Sequence, residues 1–342
     1  MGVELKRTDS VLSTPPFYAM GWQLVGFGNC HRLFRHESRD SVIRIEIELD
    51  SRSKERLQLS VSVHNDFLVR IFKGCIYQLE TEVIQSEQIQ SLYRSCDVEA
   101  MVYPCEEVPC VKTRYLMDST TFELKPKYSH ARDASGESCF VLEQRVRNEP
   151  VIYDPKPLFD GKDRGGTLSA LESAFSHRKR YLKVHSNQEG LSTAEILSLM
   201  TEAILTEPVA ELVQNLKLLQ SYATDVHAKL ALQVYKERIE CEPRIEYFRE
   251  SPNLEEFIST ARLEPDKFLN QFLLGRTAMD VSLMFSFFRN DSPFPELTTI
   301  ILPRGWCCCV AVVDTELKPR WRIPFYASQL DEAIKAYAAR NS

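Results

Sequence analysis

The period of the hydrophobic pattern changes twice along this chain of 342 residues. Residues 41–49 and 57–63 carry short β-branched or alternating apolar runs, which predict strands and few helices in the first third. From Leu191 the apolar residues recur at helical spacing, and after Gly275 alternation returns. The pattern therefore predicts an α+β fold, with a β-rich N-terminal lobe and a larger mixed C-terminal lobe whose middle segment is helical.

Length and charge narrow the classes of protein further. A chain of 342 residues favours two domains or lobes, which we place at residues 1–116 and 117–342. With 44% hydrophobic and 26% charged residues, disordered, collagen-like and low-complexity chains are excluded. The formal charge of −6 provides no general attraction to nucleic acid or to an anionic membrane. Any anionic ligand must therefore be held by a local basic pocket.

Two helix starts are marked in the middle of the chain. Ser192 or Thr193 suits the cap of a helix in which Glu195 completes a capping box. A second helix is expected to begin near Pro208, because proline is favoured in a first turn. Its apolar stripe comprises Leu212, Leu216, Leu219, Val226, Leu230 and Val234. The basic residues 177–180 suit a solvated helix face, a phosphate contact or a targeting patch, and the first is favoured.

The ten cysteines and the lengths of the apolar runs indicate in which cellular compartment the protein resides. Adjacent thiols at residues 307–309 cannot readily all find disulfide partners, which favours a reducing compartment. Cys105 and Cys110 have no second pair at zinc-ligand spacing, so we expect buried apolar thiols and no structural zinc. The longest apolar run, Trp306 to Val313, is too short to span a membrane, and residues 1–20 do not read as a signal peptide. We expect an intracellular protein of the cytoplasm or nucleus, monomeric, without nucleic-acid or membrane partners.

Two apolar runs near the C-terminus can pair as a long-looped antiparallel hairpin. They are residues 281–287, which alternate, and residues 306–313. In such a pair the start of the first strand lies beside the end of the second, so Asp280 and Asp314 become neighbours. Two adjacent ionised carboxylates repel each other unless they bind a divalent cation or one of them accepts a proton. We therefore predict that Asp280 and Asp314 form a catalytic pair of the kind found in phosphoryl transfer.

Lys318, Arg322 and Tyr326 follow at intervals of four, which places them on one face of a helix. Pro319 suits a first turn, whereas Pro324 would break a regular helix, so we predict a short helical turn with an irregular exit. The series fits either an anion site or a solvent-exposed amphipathic end.

Two weaker motifs lie nearer the N-terminus. In residues 123–127, Glu-Leu-Lys-Pro-Lys, the proline favours extended backbone and sends Lys125 and Lys127 to the same side. Such a pair can bind an anion, although Lys-Pro-Lys is also common in linkers. Gly26 and Gly28 suit either an ordinary hairpin turn or a backbone that approaches a phosphate closely.

Together these motifs resemble the inositol-pentakisphosphate 2-kinase family. Residues 123–127 are similar to its Glu-Ile-Lys-Pro-Lys motif, and residues 277–284 to its Thr-Ala-Lys-Asp-Cys-Ser-Ile-Met segment. Residues 313–319 resemble its Asp-Leu-(Asp/Ser)-Leu-Lys-Pro stretch. Thinner similarities cover Gly26–Asn29, Val42–Ile45 and Leu116–Met117, which resemble the nucleotide loop, the following strand and the hinge.

The resemblance implies a distant relative of the protein-kinase architecture, with ATP between two lobes. Asp280 would remove the proton from the 2-hydroxyl of inositol pentakisphosphate as it attacks the γ-phosphate of ATP, giving inositol hexakisphosphate. Asp314 would hold Mg²⁺. Phosphates of the substrate or the transferred group would be bound by Lys125, Lys127, Arg147, Lys318, Arg322 and Tyr326. The nucleotide would be contacted by Gly26, Gly28, Asn29, Arg44, Met117 and Asp118.

Departures from the family pattern fall on the substrate side. Cys139 and Glu143 stand where the family has a cationic residue and a histidine, and Arg180 can compensate for lost donors. These changes leave open a catalytically weak inositol-polyphosphate-binding protein of the same fold. A protein kinase is disfavoured, because the chain has no Asp-Phe-Gly and its His-Arg-Leu at residues 31–33 is misplaced for a catalytic loop.

Overall fold

A computed structural model describes residues 21–27, 31–38, 40–47, 49–50, 52–98, 103, 105–117, 119–126, 158, 163–176, 181–237, 244–251, 253–261 and 264–341. Two five-stranded sheets organise them. The strands are β1 (Trp22–Phe27), β2 (His31–His36), β3 (Ser41–Glu46), β4 (Glu80–Gln85), β5 (Glu107–Arg114), β6 (Thr120–Leu124), β7 (Leu182–Ser186), β8 (Ser282–Phe288), β9 (Ile300–Leu302) and β10 (Trp306–Val313). The first sheet has the strand order β1-β2-β3-β5-β4 and the second β7-β6-β8-β10-β9.

Helices fill the sequence between the strands. They are α1 (Ser53–Val63), α2 (Val69–Ile71), α3 (Ser86–Ser95), α4 (Arg164–Ser176), α5 (Thr193–Ile204), α6 (Glu207–Gln220), α7 (Asp225–Glu237), α8 (Glu246–Arg249), α9 (Leu254–Ala261), α10 (Pro265–Ala278) and α11 (Ile323–Asn341). A π-helical turn, His64–Leu68, joins α1 to α2, and 3₁₀ turns occupy Pro303–Gly305 and Arg320–Arg322. The α+β class is confirmed. None of the described helices combines the length and apolar character needed to cross a membrane.

The chain divides into two compact units. One comprises Met1–Lys54 and Thr81–Arg114, and the other comprises Glu55–Glu80 and Tyr115–Ser342. The predicted lobes were continuous stretches, whereas residues 55–80 belong to the larger unit. The physical reason is aromatic packing, because Phe67 contacts Phe248 and Phe257 at ring distances of 5.7 and 4.8 Å.

The smaller unit buries one face of its sheet against α3. Strand residues Phe34, Ile43 and Ile45 are fully buried and pack with Leu92 and Tyr93 of α3. Alternation along β2 and β3 sends the intervening residues to the opposite face. The strand predicted at residues 41–49 is present but ends at Glu46.

The larger unit covers both faces of its central strand. Leu283, Phe285 and Phe287 of β8 join one core cluster, while Met284 and Phe288 join another. Every residue of β8 is buried. The polar groups at its start therefore emerge from a rigid strand.

The strand predicted at residues 57–63 is wrong, because this segment lies in α1. Ser60, His64 and Phe67 are buried at spacings of four and three, and this helical pattern extends beyond Val63. With α1, the π-helical turn and α3 all within the first third, the expectation of few helices there is also wrong.

The helical middle agrees with its sequence signals. Ser192 caps α5 and accepts a hydrogen bond from the Glu195 amide, and the capping box is complete. Proline stands in the first turn of α6, as predicted. The apolar stripe does not continue through α7, where Val226 and Leu230 are exposed.

The packing of α7 explains that exposure. Its fully buried residues are Ala228 and Ala231, which share a cluster with Leu269 and Phe272 of α10. Small side chains let the helices approach closely, so Ala228 and Ala231 are fully buried, whereas Leu232 and Val234 pack against the cluster while only partly buried.

Most described cysteines are buried free thiols, as expected. Burial raises the pKa of Cys75 and of Cys110 to about 12, so both are inert at neutral pH. Cys105 departs from the expectation because it is exposed. Cys30, Cys139 and Cys241 lie outside the described residues.

Candidate active site

The antiparallel pairing of β8 with β10 brings the two predicted aspartates to one end of the sheet. The last pair in the register is Ser282 with Val313. Asp280 stands two residues before Ser282, and Asp314 comes directly after Val313. The predicted hairpin is therefore confirmed. Asp314 is exposed and adopts a left-handed backbone with φ of 61°, which aspartate tolerates better than most residues.

Asp280 is paired with Lys318. Lys318 Nζ lies 2.7 Å from Asp280 Oδ2, and the two side chains are 21% and 46% exposed. The Asp280 amide donates to Thr277 O at the end of α10, and the Lys318 amide donates to Thr277 Oγ1. Both backbones are thus anchored on Thr277, so the structure brings together a predicted base and a predicted phosphate ligand.

Glu123 is a buried carboxylate at the centre of a basic cluster. Its Oε2 accepts a hydrogen bond from His185 at 2.8 Å and faces Lys183 Nζ at 3.3 Å. Its Oε1 accepts from Ser282 at 2.8 Å and lies 3.9 Å from Lys125 Nζ. These groups share one face of the sheet, because Glu123 pairs with Lys183 across β7 and with Met284 across β8.

The cluster sets the charge of Glu123. Burial alone raises the pKa of a carboxyl, but the hydrogen bonds from His185 and Ser282 and the charges of Lys183 and Lys125 lower the pKa of Glu123 to about 2. Glu123 is therefore ionised throughout the physiological range. Its charge offsets part of the positive charge around it and holds Lys125 at the edge of the cluster.

Ser282 connects the cluster with Asp314. Its single hydroxyl proton is donated to Glu123 at 2.8 Å, while Asp314 Oδ2 lies farther away at 3.4 Å. The Glu123–Ser282–Asp314 contacts place the Lys-Pro-Lys segment beside the end of β10. The structure therefore unites the first lysine of that motif, Lys125, with the aspartate hairpin.

Arg322 and Tyr326 lie at the start of α11. Arg322 ends a 3₁₀ turn, and Pro324 occupies the first turn of a 19-residue helix. The predicted order, a helical turn followed by an irregular exit, is reversed, because proline is tolerated in a first turn where its missing amide is not needed.

Tyr326 is buried in this region. Its ring packs against Phe272, and the Arg276 guanidinium lies 4.3 Å from the ring centre. Leu317 packs against the same cluster, so the beginning of α11 adjoins the segment that carries Lys318.

Two of the predicted nucleotide contacts share one face of the first sheet. The register pairs Gly26 with Leu33 and Leu33 with Arg44, so the three residues form a row across β1, β2 and β3. Gly26 lies in β1 at an irregularity in the register rather than in the turn. A Cβ atom on Gly26 would lie 3.1 Å from Leu33 Cβ. Arg44 Nη2 lies 3.3 Å from His31 Nδ1.

Met117, the remaining described nucleotide candidate, packs against a cluster that contains Tyr77, Leu116 and Met284. Several predicted site residues, together with the departures from the family pattern, lie outside the described residues: Gly28, Asn29, Asp118, Lys127, Cys139, Glu143, Arg147 and Arg180.

The donor set at this end of the sheet suits Mg²⁺. Magnesium binds through one or two carboxylates together with substrate phosphates, and the exposed Asp314 offers a hard oxygen ligand of that kind. Groups of three or more histidine, cysteine or acidic side chains able to enclose a metal are absent from the part of the chain that the structure describes. The carboxylates present are therefore of the kind that supplies some, but not all, of the oxygen ligands of Mg²⁺.

Sequence reasoning missed two structural features of this region. Glu123 was considered only as the first residue of the Glu-Leu-Lys-Pro-Lys motif. Its position two residues before Lys125 in an extended segment already implied that the two side chains share one face. His64, which contacts Thr315 beside Asp314 at 2.6 Å, gave no sequence signal, because 251 residues separate the partners.

Comparison with known proteins adds one finding. A search among curated proteins gives no match. The family model described as inositol-pentakisphosphate 2-kinase matches residues 26–333 of this chain. That range includes the Lys-Pro-Lys segment, both aspartates and Lys318. The chain therefore belongs to the inositol-pentakisphosphate 2-kinase family, whose name denotes kinases of an inositol phosphate.

Proposed function

We propose that this protein transfers the γ-phosphate of ATP to the 2-hydroxyl of inositol pentakisphosphate and so forms inositol hexakisphosphate. The observation that carries the proposal is the meeting of Asp280, Asp314, Lys125 and Lys318 at one end of the β6–β8–β10 sheet. Family membership supports the reaction class. The distant likeness to protein kinases belongs to this proposal as well.

Asp280 is the proposed base. It is half-exposed and can reach a bound hydroxyl, and a carboxylate suits removal of a proton from an alcohol that attacks phosphorus. Lys318 pairs with Asp280 at 2.7 Å. A substrate phosphate competes for Lys318, and its binding releases the Asp280 carboxylate for the hydroxyl proton.

Charge balance determines the other proposed roles. Lys125 neutralises the charge of the transferred phosphoryl group, and Asp314 holds Mg²⁺, which would shield the triphosphate when bound. Lys127, Arg147, Lys318, Arg322 and Tyr326 are the proposed ligands of the inositol phosphates. Gly26, Gly28, Asn29 and Arg44 are proposed for the nucleotide phosphates, with Met117 and Asp118 near the adenine.

A substrate panel tests the proposal. Purified protein is incubated with ATP, Mg²⁺ and each of several inositol phosphates, and the products are separated by chromatography. We expect conversion of inositol pentakisphosphate to the hexakisphosphate. Asp280→Ala should lower kcat by about 10² to 10⁴ with an unchanged melting temperature, because it removes the base. Asp291→Asn, an exposed carboxylate on the loop after β8, is the matched control and should retain activity. Absence of turnover by the wild type on every inositol phosphate contradicts the proposal.

A catalytically weak inositol-polyphosphate-binding protein is the second candidate. Gly26 lies inside β1 against Leu33 rather than in the turn, which departs from a phosphate-cradling loop. Calorimetry separates the two functions, since a receptor binds inositol polyphosphate tightly without binding ATP and Mg²⁺.

A further inference from the structure

The segment that leaves β10 carries two of the proposed active-site residues on irregular backbone. Asp314 has a left-handed φ of 61°, and residues 314–319 form neither helix nor strand. Such a segment has no ladder of backbone hydrogen bonds to fix it. Besides the direct contacts of Asp314 with Ser282 and of Lys318 with Asp280, the side chains that hold the residues between them therefore help to fix the positions of Asp314 and Lys318.

Three side chains hold this segment from outside. Thr315 Oγ1 lies 2.6 Å from His64 Nδ1, and the Leu317 amide donates to Ser60 Oγ at 2.9 Å. The Lys318 amide donates to Thr277 Oγ1 at 3.0 Å. Each of the three holding side chains is buried. Two of them, Ser60 and His64, come from one helical segment more than 240 residues away in sequence.

The hydrogen bonds of His64 define its protonation. A carbonyl oxygen can only accept, so the 2.5 Å contact between His64 Nε2 and Tyr77 O requires a proton on Nε2. In the neutral ring Nδ1 is then an acceptor, and the Thr315 hydroxyl donates to it. Burial lowers the pKa of His64, which favours this neutral form. The ring thus links Tyr77 to Thr315 with one donor and one acceptor.

The backbone around His64 is fixed as well. His64 begins the π-helical turn, and the next residue, Asn65, makes two hydrogen bonds with Leu79: its Nδ2 donates to Leu79 O at 2.8 Å, and its Oδ1 accepts from the Leu79 amide at 2.9 Å. Ser60 and His64 are four residues apart, so they face the same side. Single π-helical turns within α-helices are frequent at functional sites.

We propose that Ser60 and His64 are positioning residues that hold Asp314 and Lys318 in the geometry needed for phosphoryl transfer. The inference rests on the proposed function for its catalytic consequence. Its structural part, that these two side chains order residues 315–318, stands without that function.

The test compares two buried threonines. Thr315→Val keeps the shape of the side chain but removes the donor to His64, and His64→Gln keeps a donor for Tyr77 O. Thr201→Val in α5 is the matched control, because Thr201 is equally buried and its hydroxyl donates to Leu197 O at 2.7 Å. For each variant the melting temperature, kcat, KM and the hydrogen exchange of the Leu317 and Lys318 amides are measured.

We expect Thr315→Val to lower kcat by about tenfold or more, with a change of less than about threefold in KM for the inositol phosphate. The Mg²⁺ concentration for half-maximal rate should rise, and the two amides should exchange faster. Thr201→Val should lower the melting temperature by a similar amount without these effects. The double variant of His64→Gln with Thr315→Val should match the more affected single variant, because both act on one hydrogen bond.

The proposal is overturned if Thr315→Val behaves like Thr201→Val in kcat and in amide exchange, or if the effects of the two single variants multiply. Failure of the proposed function has a different signature. A wild type that phosphorylates no inositol phosphate contradicts that function, while the exchange of the Leu317 and Lys318 amides still decides whether the two side chains hold the segment.

Discussion

At the scale of single residues, Glu123 shows how a buried charge organises cationic neighbours. An unpaired buried carboxylate is costly, and here His185, Ser282, Lys183 and Lys125 supply donors or charges within 4 Å. Removing the charge leaves two lysines without their common partner. The contribution of Glu123 to stability must therefore depend on its ionisation.

Glu123→Gln tests this dependence. The folded-state pKa of Glu123 is lowered from 4.5 to about 2, so its ionised form stabilises the fold above pH 4.5, and this contribution is lost as the pH falls towards 2. We expect Glu123→Gln to lower the free energy of unfolding at pH 7 by on the order of 3 kcal/mol. The difference from wild type should shrink between about pH 4.5 and pH 2.

Urea unfolding at a series of pH values measures that difference. Glu172→Gln, which changes an exposed carboxylate of α4, is the control and should leave the free energy of unfolding nearly unchanged. A difference for Glu123→Gln that stays constant from pH 7 to pH 2 is incompatible with an ionised Glu123 in the folded state.

At the scale of elements, the close approach of α6 and α10 depends on Gly275. A Cβ atom there would lie 2.7 Å from Leu219 O and 3.1 Å from Ala223 Cβ. The first contact is with backbone, which cannot turn aside like a flexible side chain. The sequence predicted that a strand pattern begins again after Gly275. The structure places Gly275 inside α10, and the strand begins at Ser282.

Gly275→Ala should destabilise the protein although alanine favours helix by about 1 kcal/mol. The two helices must separate, and overpacking costs about 1–3 kcal/mol. Gly165→Ala in α4 is the matched control, because its nearest contact would be an ordinary 3.5 Å. Thermal unfolding should show a lower melting temperature for Gly275→Ala and an equal or higher one for Gly165→Ala. A stabilised Gly275→Ala contradicts the close packing.

Helix α1 shows why local pattern failed elsewhere. Its apolar residues alternate over a short window, which favoured a strand at 57–63, and only the buried His64 and Phe67 beyond it reveal the helical period. Helix α5 was predictable because Ser192 and Glu195 carry its capping box locally. Helix signals carried by residues within four positions of one another could be predicted from the sequence, whereas burial of a side chain by distant elements could not.

At the scale of the whole molecule, the net charge of −6 opposes binding of a polyphosphate, so the local cations must overcome it. Lys125, Lys183 and Lys318 are gathered near the aspartates by the second sheet. Attraction between such groups and a phosphorylated ring is screened by salt.

Kinetics at two salt concentrations check this balance. KM for inositol pentakisphosphate should rise several-fold between about 50 and about 500 mM NaCl, because the Debye length falls from above 10 Å towards a few ångströms. Lys318→Met should flatten the dependence, whereas Lys236→Met, which changes an exposed lysine in the last turn of α7, should not. An equal KM at both salt concentrations refutes the attraction of inositol pentakisphosphate by Lys125, Lys183 and Lys318.

Sequence alone determined the α+β class, the capped helices of the middle segment and the hairpin that joins Asp280 to Asp314, because each depends on spacing along a few residues or on the antiparallel rule. Only the tertiary structure decided that Glu123 is buried among two lysines and a histidine, and that Ser60 and His64 hold the segment after Asp314. Apart from Lys125, which is two residues from Glu123, the partners in these contacts lie 60 to 257 positions apart, and their meeting depends on the packing of whole elements rather than on any local preference.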